Sequence, residues 1–233
     1  MNEILRLACR KAGKILQSDV LLDKYASDYY NYGRENILCE CPKCKCPAAG
    51  GRRYSFVYID ESRKLMYFDV PKAASTTIRK AFFQNRSSAS MRNPTRGLDE
   101  YIKFTFVRNP WDRMVSNWKM FTSQPARIEQ LRSMTNKDLK KFDDFVYFAI
   151  TMSNHHWQPQ SMFTPEKLDF IGKLETFDDD MNNLRELVGE APLNLKKHNT
   201  TQRKRYQEYY STSLVDVVAD YYNEDIAKFG FRF

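Results

Sequence analysis

With 233 residues, 42% of them hydrophobic, the chain can bury one sizeable core, which excludes an intrinsically disordered protein. Lys and Arg total 37 against 29 Asp and Glu, a formal charge of +8, so the expected partner is anionic: a phosphorylated ligand, a polyanion, nucleic acid or an acidic membrane surface. No apolar run approaches the roughly 18 to 20 residues of a membrane-spanning helix, and no transmembrane segment is expected.

The N-terminus, "MNEILRLACRKAGKILQSDVLLDKY", repeats Ile4, Leu5, Ala8, Ala12, Ile15 and Leu16 at helical spacing and reads as an amphipathic helix. It has neither the continuous apolar core nor the small-residue cleavage site of a signal peptide, so a soluble chain with a cytoplasmic location is expected. Four of the five cysteines, Cys39, Cys41, Cys44 and Cys46, crowd into "CECPKCKC". A tetrathiolate zinc site, a disulfide pair and unliganded thiols are all open readings. Crowding counts against zinc, because zinc-binding pairs normally come from two separated segments. The stretch Cys39 to Arg53 is rich in Cys, Pro, Gly and Lys and marks a boundary, giving an extension over 1–53 and a main domain over 54–233.

"YSFVYI" and "KLMYFDV", separated by "DESR", predict a β-hairpin whose second strand runs into "VPKAASTTI" and then a helix, "STTIRKAFFQN". Asn93 to Asp99 reads as a loop. "YIKFTFV" is a further strand ending at Arg108, followed by a helix in "RNPWDRMVSNWKMF" that Pro110 opens. Trp111, Met114, Val115, Trp118 and Phe121 form its apolar stripe, with Arg113 and Ser116 predicted to face away. Ser123 to Lys141 is polar and reads as a mobile loop, "FDDFVYFAITM" as a helix, and "LDFIGKLE" as a buried strand. A helix in "TFDDDMNNLRELVG" has Thr176 as N-cap and Gly189 as stop, and "SLVDVVADYYNEDIAKFGF" is one amphipathic helix ending at Gly230. Strand-to-helix units in series imply an α/β domain with a mostly parallel sheet, whose ligands lie beyond the carboxyl ends of the strands.

"VPKAAST" places Lys72, small Ala73 and Ala74, and the hydroxyls of Ser75, Thr76 and Thr77 at a predicted strand-to-helix turn. Backbone N–H groups at a helix start are unpaired and the dipole there is positive, so such a turn suits a phosphate; a merely capped helix is the plainer reading of the stretch in isolation. Both glycines of the Gly-x-x-x-x-Gly-Lys-Ser/Thr loop are missing, and no strand-ending carboxylate offers a magnesium ligand, which weakens a nucleotide-dependent phosphotransferase.

"VPKAASTTI" resembles the 5′-phosphosulfate loop, and "FVRNPWDRMVSNW" the 3′-phosphate motif, of sulfotransferases that use 3′-phosphoadenosine 5′-phosphosulfate. "HHWQPQ", "LDFIGKLETFDDDMNNL" and "YYNEDIAKFGF" resemble segments of the carbohydrate sulfotransferases, especially the chondroitin and dermatan Golgi enzymes. The resemblance covers Tyr54 to Phe233. It implies a three-layer, P-loop-like sulfotransferase fold with a mostly parallel central sheet, and an enzyme that moves a sulfuryl group to a hydroxyl of a carbohydrate. It further implies that Lys72 to Ile78 wrap the 5′-phosphosulfate, that Lys72 stabilises the leaving oxygen, and that Arg108 and Ser116 hold the 3′-phosphate. Arg203, in "QRKRY", would close over the nucleotide, although a solvated charged face is the commoner origin of such a run.

An acceptor hydroxyl must lose its proton as it attacks, and His155 and His156 are the first candidates for the base, His156 ahead by likeness to the family's His-aromatic-x-Pro segment. Packing beneath a loop is the plainer reading of that pair, and a carboxylate base stays open; Glu175 either orders the site or caps the next helix. No metal and no nucleic acid are expected for such an enzyme. The sequence departs from the Golgi members in showing no N-terminal anchor or stem, and in having "MFTPEKLD" where they carry a Cys-Pro-Cys pair. The competing class is a basic polyanion- or nucleic-acid-binding protein with a zinc knuckle at Cys39 to Cys46.

Overall fold

A computed structural model describes residues 53–84, 88–92, 98–135, 139–152, 154–192 and 204–233. The predicted N-terminal helix, the Cys39 to Cys46 cluster and Arg203 lie outside them. The described residues form α/β structure in two compact units. Among the described residues, one draws on 53–109 and 160–204 and contains the sheet; the other draws on Pro110–Pro159 and Arg205–Phe233 and is helical.

The sheet has five strands: β1 (Arg53–Asp60), β2 (Leu65–Phe68), β3 (Ala89–Arg92), β4 (Ile102–Val107) and β5 (Phe170–Lys173), in the order β3-β1-β2-β4-β5. The expected hairpin is β1 with β2, turning through Glu61 to Lys64. Asp60 holds that turn, accepting from the Ser62 N–H at 3.0 Å and from Arg63 Nη2 at 2.8 Å. The β2–β4 and β4–β5 pairs are parallel, whereas β1–β2 and β1–β3 are antiparallel. The sheet is therefore mixed rather than mostly parallel, because a tight hairpin can join only antiparallel neighbours.

Alternation along the strands puts Leu65, Tyr67, Phe104 and Phe106 on one face, where α1 (Ser75–Phe83) and α5 (Phe177–Leu187) cover them with Ile78, Phe82, Phe83, Met181 and Leu184. Burying each phenylalanine ring contributes about 2 to 3 kcal/mol. Met66 and Phe68 face the opposite way, against Val57 and Tyr101. β5 lies at the sheet edge with Ile171 exposed, so the strand expected to be buried is only half covered. Thr176 occupies the N-cap of α5 as expected, but its hydroxyl donates to Asp180 Oδ2 at 2.6 Å rather than accepting a backbone N–H.

In the helical unit, α2 (Pro110–Ser123) starts at the proline as expected. The supposed loop after it contains a further helix, α3 (Pro125–Met134). Its low apolar content hides it from a periodicity reading, and its start is set by Pro125 at the first position. α4 (Phe142–Thr151) follows. The C-terminal segment is two helices, α6 (Thr212–Tyr221) and α7 (Asn223–Phe229), broken at Tyr222 and stopped by Gly230 at φ 67°. Among the described residues, no helix is long and apolar enough to cross a membrane.

Candidate active site

In the sheet unit, β2 and β4 run parallel with Phe68 opposite Thr105, so the segments leaving their carboxyl ends emerge side by side. The first is the Lys72 turn. Lys72 and Ala74 adopt φ 73° and 63°, a left-handed conformation that costs a non-glycine residue about 1 to 3 kcal/mol. Such strain persists where the surroundings impose it, commonly at ligand clamps, and left-handed residues in a turn help gather N–H groups around an anion. Ala74 is the N-cap of α1 and supplies no side-chain cap. An anion is a natural substitute acceptor there.

The residues predicted to wrap that anion divide by what their atoms do. Ala73 is buried and its N–H donates to Val70 O at 3.2 Å. Ser75 Oγ donates to Val70 O at 3.1 Å, so its hydroxyl braces the turn from behind. Thr76 is exposed and Thr77 half-buried, while the Thr77 and Ile78 N–H groups both donate to Ala74 O. The Ile78 side chain belongs to the core. Asp69 lies beneath, where burial pushes its carboxyl above the usual range against the opposing pull of Ser75, Tyr67 and Arg79.

The second emerging segment is Arg108–Asn109. Arg108 Nη1 donates to Lys72 O at 3.2 Å, joining the two motifs that the sequence placed at strand ends. The Arg108 backbone is held by Gln160, whose Oε1 accepts from the Arg108 N–H at 2.9 Å and whose Nε2 donates to Arg108 O at 2.8 Å. The next N–H, of Asn109, donates to Glu175 Oε1 at 2.6 Å. Glu175 therefore orders the residue after Arg108. Gln160 went unrecognised in the sequence, and its only signal was a second glutamine in "HHWQPQ".

In the helical unit, Ser116 is half-buried on α2. Arg113, predicted to face away from the apolar stripe, is instead 0% exposed, donating from Nη1 to Gln158 O at 2.7 Å. Burial presses its guanidinium pKa down while Tyr222, Asp225 and Tyr221 pull the other way. The His155 and His156 rings pack at a tilt with centroids 4.0 Å apart; His156 is buried and His155 exposed. Desolvation, then the Arg127 and Arg113 charges, hold the His155 imidazole below its ordinary pKa. His156 Nδ1 lies 2.8 Å from Asn154 Oδ1, and Asn117 Nδ2 donates to His156 O at 2.8 Å. Asn154 and Asn117 were missed. Asn117 could have been noticed as a polar residue three and four positions from Met114 and Phe121, inside the apolar stripe. Among the described residues, no group of three or more His, Cys, Asp or Glu could hold a metal ion.

The profile of the sulfotransferase family matches residues 55–232, the span that carries both strand-end motifs and the histidine turn. The chain belongs to the sulfotransferase family. This sulfotransferase-family protein is 24% identical to human (Homo sapiens) carbohydrate sulfotransferase 9 over 69% of its own length and 47% of that protein. It is 26% identical to carbohydrate sulfotransferase 11 of Danio rerio over 57% of its length and 53% of the relative. With human carbohydrate sulfotransferase 8 the identity is 22%, over 77% of this chain and 56% of the relative. The chain spans about half the length of the curated relatives it matches. No solved structure matches it at a significant level.

These relatives overturn the expectation of a cytoplasmic location. They are carbohydrate sulfotransferases, the group in which the resemblance already pointed to anchored Golgi enzymes. Where a chain of half their length begins carries no information about its compartment.

Proposed function

We propose that this member of the sulfotransferase family transfers a sulfuryl group from 3′-phosphoadenosine 5′-phosphosulfate to a carbohydrate hydroxyl. What supports the reading most is the meeting of the Lys72 turn and Arg108 at adjacent carboxyl ends of parallel strands, beside a helix start with no side-chain cap. Those residues fit a doubly anionic nucleotide. The N–H groups at the start of α1 and Lys72 would hold the 5′ end, with Ala73, Ala74, Ser75, Thr76, Thr77 and Ile78 shaping the turn. Arg108 and Ser116 would hold the 3′-phosphate, with Arg203 as a further contact.

The donor supplies the sulfuryl group. His156, with His155 second, accepts the proton of the acceptor hydroxyl as its oxygen bonds to sulfur. Lys72 neutralises the charge that develops on the bridging oxygen as the bond from sulfur to that oxygen breaks. The step needs no metal to neutralise a transferred phosphoryl group. Residues 54–233 would form the enzyme's working domain in a three-layer, P-loop-like fold, with 1–53 as a helical and Cys-rich extension.

Family membership disfavours both the nucleotide-dependent phosphotransferase and the polyanion-binding protein. The test is release of 3′,5′-bisphosphate from the donor in the presence of a panel of glycans. Glycan-dependent release supports the reading; absence of donor binding in calorimetry ends it.

A further inference from the structure

The histidine turn is held by a dense set of hydrogen bonds. Three successive carbonyls each accept a hydrogen bond from a buried side chain: His156 O from Asn117 Nδ2 at 2.8 Å, Trp157 O from Tyr222 Oη at 2.5 Å, and Gln158 O from Arg113 Nη1 at 2.7 Å. The Trp157 and Gln158 N–H groups donate to Asn154 O at 3.1 and 3.0 Å, and Trp157 Nε1 donates to Met152 O at 2.6 Å. The His156 ring packs edge-on against Phe121 at 5.3 Å between centroids and against His155.

One side chain of this turn addresses the ring itself. The Asn154 amide presents a single atom to two groups of His156, lying 3.0 Å from the backbone N and 2.8 Å from Nδ1. The backbone N–H can only donate, so that amide atom is the oxygen. Nδ1 faces the same oxygen and must therefore carry the hydrogen when the ring is neutral. The lone pair of the neutral imidazole is then on Nε2.

We propose that Asn154 is a positioning residue that fixes His156 in its Nδ1–H tautomer and thereby makes Nε2 the proton-accepting atom. The inference rests on the reading of His156 as the base. An asparagine orients the ring as an aspartate would, without adding negative charge that would stabilise the imidazolium. The charged and titratable groups around the turn include His155, whose ring packs against His156, and Arg127 of α3 and Arg113 of α2, whose charges add to desolvation in lowering the pKa of the neighbouring His155. From the C-terminal helices, Tyr221, Tyr222 and buried Asp225 act on Arg113.

The test combines long-range nitrogen–proton NMR of the full chain, which has three histidines, with kinetics of two variants. The wild-type spectrum is expected to show His156 with a protonated Nδ1 and a pyridine-like Nε2; an Nε2–H tautomer overturns the proposal. Asn154→Asp should keep the Nδ1–H tautomer and, by stabilising the imidazolium, move the acid limb of kcat upward by about one pH unit. Asn154→Leu should lower kcat by at least about tenfold while the donor KM changes far less. An acid limb that stays in place in Asn154→Asp, or equal losses in kcat and donor KM in Asn154→Leu, would also overturn it. If no preparation turns over the donor, the sulfuryl-transfer reading fails separately, because the nitrogen shifts report the tautomer without catalysis.

Discussion

Arg108 is held at both ends, its guanidinium on Lys72 O and its backbone between the two arms of the Gln160 amide. Gln160 is 0% exposed, so Gln160→Leu would leave a buried N–H and a buried C=O without their partner. At about 1 to 3 kcal/mol for each of the two unsatisfied groups, urea unfolding should show a loss of about 2 to 6 kcal/mol, with weaker donor binding in whatever protein folds. Full stability in that variant would mean that the clamp is dispensable. Lys72→Ala should act mainly on turnover, lowering kcat by roughly 10² to 10³, the usual effect of removing a group that meets charge only in the transition state. Arg108→Ala should instead weaken donor binding by about ten- to a hundredfold, with a smaller kcat loss through the Lys72 turn it steadies. Steady-state kinetics in which both variants shift kcat and donor KM equally would contradict the division of roles.

The elements that matter are those that end at the site. β2 and β4 deliver the two motifs because they are parallel neighbours in register, and β5 extends the sheet beyond them. Gly172 marks how closely β5 and β4 approach: a Cβ there would lie 2.6 Å from Cδ1 and Cζ of Phe106. That ring is wedged against Phe170 and Phe177, so it has little room to yield. Gly172→Ala should therefore cost about 1 to 3 kcal/mol, read as a lower denaturation midpoint with an unchanged slope. Both strand-end motifs were legible because strand, turn and helix follow each other in a short stretch. α3 was not, since its ten residues carry few apolar side chains, and the break at Tyr222 was not, since the amphipathic pattern runs through it.

For the molecule as a whole, part of the acid sensitivity should trace to Asp60. Burial works against ionisation of Asp60, yet hydrogen bonds from Ser62 and Arg63 and the Arg63 charge bring its pKa from 3.8 to about 2. A carboxylate depressed on folding contributes its stability in full above its unfolded pKa and loses it as pH falls through the folded one. The window is therefore about pH 4 down to pH 2, and the contribution at neutral pH is on the order of 2 kcal/mol. Asp60→Asn should flatten the fall in unfolding free energy across that window by about this amount. Parallel pH profiles for the variant and the wild type would assign acid sensitivity elsewhere. The formal charge of +8 adds a long-range pull on anionic ligands, so donor association should slow as salt rises.

Local chemistry is written in the order of residues, and that is why Lys72, Arg108 and the histidine pair could be proposed, and the family recognised, from the chain alone. Pairing across distance is not written there. Gln160 reaches Arg108 across 52 positions, and Asn117 reaches the His156 carbonyl across 39. Arg113 was misplaced for the same reason: a helical wheel sorts side chains by angle, but only the folded unit shows that Gln158 O receives one of them in the interior. The sheet likewise became mixed through pairings of β1 with both neighbours, which no single stretch encodes. Residue type and spacing thus settle which groups are available for chemistry, whereas hydrogen bonds closed between distant segments settle which atom of each group is presented.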